Sequence, residues 1–311
     1  MSSPVRLLLV SSTPGADTAA VAASACEELS GSGREPMLIA PGSPAIQDLY
    51  RSTWSMLAEA VGAILQGLGM ASLSVDEVGT LPGLGELAFA LAACKAADTS
   101  GSLVVWDAGP WESSVRSVSS IGAASHLLER LMTPTTAARV HSGGTTAMEA
   151  VAALRAAEAR LAQSAVSWVV AGPGRQQAVK RATAALGIWE IPVAQVVDAQ
   201  GADASTGRMQ QEPLPTSRCQ MRWVEETPDG FLLGLRLPMI EREALRVGRA
   251  GPSVIIAMDE WRRVIRLPAA LQRCVVEGAG LEGGVLTIRL RPDPLAWPLR
   301  NPAETGAGEG P

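Results

Sequence analysis

The stretch from Val5 to Leu29 constrains this chain more than any other. Val5–Val10 reads as an apolar strand broken only by Arg6, Ser11–Thr18 as a short loop, and the segment after it as a helix of small side chains able to lie close to a sheet. A strand, tight loop and close-packed helix form the setting in which a Gly-rich loop cradles phosphate. Its glycines let backbone N–H groups approach, a lysine neutralises charge, and a hydroxyl holds Mg²⁺. Here the frame is present and the chemistry is missing. Ala16 and Asp17 precede Thr18, so the lysine position carries a carboxylate. Near a polyphosphate, each close charge pair is worth about 4 kcal/mol at an effective dielectric near 20, and Asp17 reverses its sign.

The remaining elements follow the same grammar. Pro36–Ala40 reads as a short strand, followed by a turn at 41–44, and residues 45–69 read as a helix. Trp54, Leu57, Val61, Ile64 and Leu68 recur at alternating three- and four-residue spacing, one apolar stripe that serves either as core or as a partner or client surface. Asp76–Gly85 reads as a loop and Glu86–Ala97 as a helix. Ser102–Trp106 is an all-apolar strand ending at Asp107, as expected of a parallel strand buried on both faces. Residues 117–164 are alanine-rich and helical around a Thr/Gly-rich loop at 133–146. Val166–Ala171 and Val193–Val197 are strands separated by a turn at Gly172–Gly174 and a helix over 175–186. This βαβα alternation predicts an α/β fold with a doubly wound parallel sheet and a helical insertion.

The pattern changes after Asp198. Residues 1–198 make the first domain, and the polar, Gly/Pro-rich 199–218 reads as a linker. Residues 219–295 read as a small β-sandwich, with alternating or apolar strands at Phe231–Leu237, Val254–Met258, Arg263–Leu267 and Gly284–Leu290 and turns at Asp229–Gly230 and Gly283–Gly284. Residues 296–311 read as a disordered tail, of which Asn301–Pro311 has nothing to bury. Arg242, Arg246, Arg249, Arg262, Arg263 and Arg266 fit mostly solvent faces of these strands, with an interface role as the alternative.

Composition removes several classes of function. The net charge is −5 and basic residues do not cluster, which argues against a nucleic-acid partner. No run of 18 uncharged apolar residues is present, so no membrane span is expected. Cys26, Cys94, Cys219 and Cys274 lie far apart without a CxxC pair, which argues against a zinc site and suits a cytoplasmic protein. His126 and His141 sit in no recognisable motif, and Asp76, Glu77 and Glu86 lack a companion base or nucleophile. No catalytic residue and no metal ligand is assigned.

Taken in order, these pieces resemble the arsenite-pump ATPase family (ArsA-like proteins), which includes the ATPases that guide tail-anchored membrane proteins. SSTPGADTA at 11–19 stands in register with the family's GKGGVGKTT, and APGSPAIQD at 40–48 with a switch segment like TDPAHSLGD. DEVGTLPGLGEL at 76–87 and VVAGPGRQQAVKRATAALG at 169–187 have counterparts there. LVVWDAGPWESSVR at 103–116 is similar to the second switch, VVVDTAPTGETLR. The segment 245–290 is similar to the small-heat-shock-like sandwich appended to some bacterial members. The resemblance implies a P-loop NTPase-like first domain, ATP hydrolysis and face-to-face dimers.

The departures point the other way. Thr18 and Asp107 match the family's Mg²⁺-side Thr and strand-end Asp, but the first loop lysine falls on Ser12, the phosphate-cradling glycine on Ala16 and the phosphate lysine on Asp17. Gly15 remains within the vestigial loop. The water-positioning switch Asp falls on Pro41. Of the second switch Pro110 and Arg116 survive, while its Thr-Gly pair is Trp111–Glu112, and the adenine-side Asn-Arg pair falls on Asp198 and Ala199. Phosphoryl transfer depends almost wholly on positioning and charge stabilisation. The expectation is therefore a degenerate pseudo-ATPase acting as a binding or regulatory subunit. It would need no cofactor and would pair with an intact ArsA-like paralogue or with itself. Two alternatives stand: an ATPase that keeps Mg-ATP through Thr18 and Asp107, and a chaperone-like client-binding module.

Overall fold

The computed structural model describes residues 4–31, 35–70, 74–99, 102–131, 144–198 and 219–296. The expected linker at 199–218, most of the loop at 133–146 and all but the first residue of the expected tail lie outside the described residues, as does Ala199. The chain divides into two compact units, one comprising residues 1–221 with Leu237–Ile240, the other residues 222–236 with 241–311.

The first unit begins with β1 (Leu7–Ser12), every residue of which is buried. It continues through α1 (Thr18–Gly31), β2 (Met37–Ile39), a single 3₁₀ turn at Pro44–Ile46, and α2 (Gln47–Gly67). Next come α3 (Val75–Gly79), α4 (Leu84–Thr99), β3 (Val104–Pro110), α5 (Trp111–Leu131), α6 (Gly144–Ser164), β4 (Ala165–Ala171), α7 (Gln176–Ile188) and β5 (Val193–Asp198). The five strands form one parallel sheet in the order β2-β3-β1-β4-β5. A parallel strand covered on both faces has no solvent side, hence the apolar runs that open β1 and β3 and the mostly apolar β4. On one face Leu8, Val10, Val105 and Trp168 meet Val21, Ala22 and Ala25 of α1. On the other, the Phe89 ring of α4 meets Trp106 of β3 at 6.1 Å between centroids. Helix α4 has no polar stripe because nearly all of it is core, with Ala88, Ala90, Ala92, Ala93 and Ala97 buried.

Two expectations need correction here. Asp76–Gly85 is not wholly loop: Ser74 accepts from the Glu77 N–H at 3.2 Å while Glu77 accepts from the Ser74 N–H at 2.8 Å, a capping box that starts α3. Asp107 does not end its strand, because β3 runs on to Pro110 with an irregularity in its pairing to β1 after Val10.

The second unit is all antiparallel. Its strands are β6 (Arg222–Thr227), β7 (Gly230–Arg236), β8 (Leu245–Ala250), β9 (Ser253–Met258), β10 (Trp261–Arg266), β11 (Cys274–Glu282) and β12 (Val285–Pro292), with a four-residue α8 (Ala269–Gln272) before β11. They form a three-stranded sheet, β10-β9-β8, and a four-stranded sheet, β11-β12-β7-β6. Leu233, Leu235, Val254, Ile256, Ile265, Leu286 and Ile288 fill the core. The expected turn at Gly283–Gly284 closes the β11–β12 hairpin. Not all six arginines face solvent. Arg263 is buried, and the guanidinium of Arg249 donates to the carbonyls of Gly251 at 3.0 Å, Gln272 at 2.7 Å and Cys274.

Candidate functional site

In an open sheet of this order, ligands meet the chain beyond the carboxyl ends of the strands, at the crevice where the winding reverses between β1 and β3. The residues after β1 are held tightly. The Thr13 N–H donates to Val170 O at 2.9 Å, and the Thr13 hydroxyl accepts from the Gly172 N–H at 2.7 Å. The Ala16 N–H then donates to Thr13 O at 3.2 Å across Pro14 and Gly15, and Gly15 has φ +88°. Pro at the second position and a left-handed Gly at the third define a type II β-turn.

The same device recurs along this edge. Ser43 N–H donates to Ala40 O at 2.9 Å across Pro41 and Gly42, with φ +82° at Gly42. Arg175 N–H donates to Gly172 O at 3.3 Å across Pro173 and Gly174, with φ +64° at Gly174. The loops following β1, β2 and β4 are thus all closed by Pro-Gly turns. Pro restricts the backbone to the turn's own φ, so each loop is held near one conformation.

Asp17 completes the first loop. Its Oδ1 accepts the Ala19 N–H at 2.9 Å, and so it caps the first turn of α1. A phosphate site needs the amides of this loop unpaired and convergent on one anion. Here Thr13 and Ala16 bond to backbone carbonyls and Ala19 to the Asp17 carboxylate. Ser12 is 5% exposed in the last turn of β1's pairing, and Thr18 is buried.

Of the expected site residues, the fold brings Thr18, Pro41, Asp107 and Pro110 to one cleft of about 700 Å³. Asp107 is half-buried, and its Oδ1 accepts the Gly109 N–H at 3.2 Å. Trp111 and Arg116 are elsewhere. Trp111 is 2% exposed, with the Arg181 guanidinium 5.8 Å from its ring centroid, and Arg116 donates to Ser113 Oγ at 3.1 Å on the surface of α5. Ser114 donates to the carbonyls of Ala108 and Pro110 and fastens the end of β3 to α5. Asp198 closes β5, exposed.

The apolar stripe of α2, read from the sequence as core or as a partner or client surface, is largely core. Leu57 and Ile64 are buried, and Trp54 and Val61 are half-buried. Trp54 lies beside Tyr50 at 6.3 Å and against Gly79, so Leu68 alone of the five is well exposed. Aromatic side chains that the sequence reading passed over line the cleft instead: Tyr50, Phe89 and Trp106, with Glu86 at its edge. The signal was rarity. The chain has one Tyr and two Phe, and the Tyr and one Phe meet here. Among the described residues no group of three or more His, Cys, Asp or Glu comes together. Burial pushes the Cys26 thiol up to about 11 and Cys94 up to about 12, so neither offers a thiolate at neutral pH.

The two units define the class: an α/β unit with a five-stranded parallel sheet, joined in sequence to a small β-sandwich. Comparison with known proteins adds a family likeness. Residues 228–290 match the HSP20-like domain found in ArsA, so the C-terminal part of the chain is similar to that small-heat-shock-like domain. It is also similar to the uncharacterized protein SCO2128 of Streptomyces coelicolor, 44% identical over 71 residues covering 22% of this chain and 18% of that protein. Protein Rv2184c of Mycobacterium tuberculosis is 43% identical over 68 residues, 22% of this chain and 16% of its own length. The matched stretch thus spans less than a fifth of either relative. Among the described residues no helix is long and apolar enough to cross a membrane.

Proposed function

We propose that this chain is an ArsA-like pseudo-ATPase, a binding or regulatory subunit that works in the cytoplasm without turning over nucleotide. One observation carries the reading. The loops after β1, β2 and β4, at the edge where nucleotide would sit, are closed by Pro-Gly type II turns, with the Asp17 carboxylate seated on the helix N-terminus where phosphate would lie. A loop held in one conformation gives nucleotide no second state to select. Its partner is an intact ArsA-like paralogue, or a second copy of this chain. A second reading, an ATPase retaining Mg-ATP, draws on the meeting of Thr18 and Asp107 at one cleft.

The test is an ATP-hydrolysis assay of the purified full chain, alone and mixed with an intact ArsA-like ATPase. The expected result is no turnover alone and an altered rate for the mixture. Turnover by the chain alone, abolished by Thr18→Ala, would establish the second reading instead.

A further inference from the structure

We propose that the cleft beside Asp107 binds a small cationic amphiphile, an aryl- or alkylamine whose ammonium group meets Asp107 while its apolar body lies on Tyr50, Phe89 and Trp106. The volume of about 700 Å³ suits a small molecule. Its wall is a connected set of rings, with Tyr50 and Phe89 centroids 6.4 Å apart and Phe89 and Trp106 centroids 6.1 Å apart. Ring faces attract ammonium groups and pack apolar bodies, so this wall serves both ends of an amphiphile.

The charges lining the cleft select the sign. They are Asp107, Glu86 and Arg51. Arg51 is already engaged, donating to Asp48 Oδ1 at 2.8 Å and Gln47 Oε1 at 3.1 Å. Asp107 accepts one N–H through Oδ1, and its second oxygen has no partner among the described residues. Glu86 stands exposed at the rim. The uncompensated charge is negative, which complements a cation and repels a polyphosphate. The proposal is tied to the pseudo-ATPase reading in one respect: the cleft is open to the amine whenever no Mg-nucleotide occupies it.

The experiment titrates the full chain by calorimetry with phenylbutylamine, phenylbutanol and phenylbutyrate, which share one body and differ in the charge of the head. The amine is expected to bind about tenfold more tightly than the alcohol, and the carboxylate not measurably. Asp107→Asn should remove about tenfold of amine affinity and leave the alcohol unchanged, whereas Phe89→Leu should weaken both alike. Glu86→Gln, at an exposed position, supplies a second charge variant with thermal unfolding as the check on folding. Equal affinity for the three heads overturns the proposal, as does amine binding that neither charge variant weakens. A parallel Mg-ATP titration separates the two readings. Nucleotide that competes with the amine contradicts the pseudo-ATPase and leaves the amine site standing. Absence of both ligands overturns the amine site alone, and nucleotide binding without amine binding overturns both.

Discussion

Asp17 faces the positive end of α1 and bonds to it, so its removal should register as the loss of a helix cap. Asp17→Ala is expected to cost about 1 kcal/mol, a fall in Tm of about 2–4 °C for a chain of this size, read by thermal unfolding. An unchanged Tm would mean that the carboxylate is idle. Gly15 offers a cleaner probe of the turn, because a Cβ there meets nothing within 4 Å. Any penalty in Gly15→Ala is then backbone strain at φ +88°, expected at roughly 1–2 kcal/mol. The thiols add a pH dependence. Cys26 and Cys94 are raised by burial from an ordinary 9.0 to about 11 and about 12. A raised value favours the neutral thiol of the folded chain. Its contribution is whole below about pH 9 and is lost as pH climbs through the folded values. The wild-type Tm should therefore fall more steeply between about pH 9 and pH 11 than that of Cys26→Ala, each compared with its own value near pH 8.

Helix α2 tests the reading at the scale of an element. If its stripe is core, Leu57→Ala should cost about 2–5 kcal/mol and Leu68→Ala within about 0.5 kcal/mol, measured by denaturant unfolding. Comparable small effects would return the stripe to the surface. Elements whose apolar pattern was strong were legible: β1, β4, α2 and β12 stand within a few residues of where their sequence places them. Those that were missed had their pattern masked by chemistry. Strand β8, LRVGRA, carries one arginine outward and another inward, so the inward one breaks the alternation that marks a half-buried strand. Strand β11 contains an irregularity between Val276 and Gly278, and β6 places two glutamates side by side. Helix α3 was hidden because its signature is a cap, Ser74 with Glu77, rather than a stripe. In the site, local motifs showed Thr18, Asp107 and the Pro-Gly turns. The aromatic wall was illegible because Tyr50, Phe89 and Trp106 come from three elements that only the tertiary fold brings together.

For the molecule as a whole, the architecture of the first unit and its local chemistry pull apart. A parallel sheet with its crevice between β1 and β3 is architecture suited to a phosphate ligand, yet the N–H groups of Thr13, Ala16 and Ala19 beside it are bonded within the chain. The central claim is that this edge no longer takes nucleotide. Calorimetric titration of the full chain with Mg-ATP and Mg-ADP tests it directly, with thermal unfolding as a companion, since a ligand that binds only the folded state must raise Tm. The account predicts no binding heat and no Tm shift at millimolar nucleotide. Micromolar binding accompanied by a rise in Tm would contradict it and restore the ATPase.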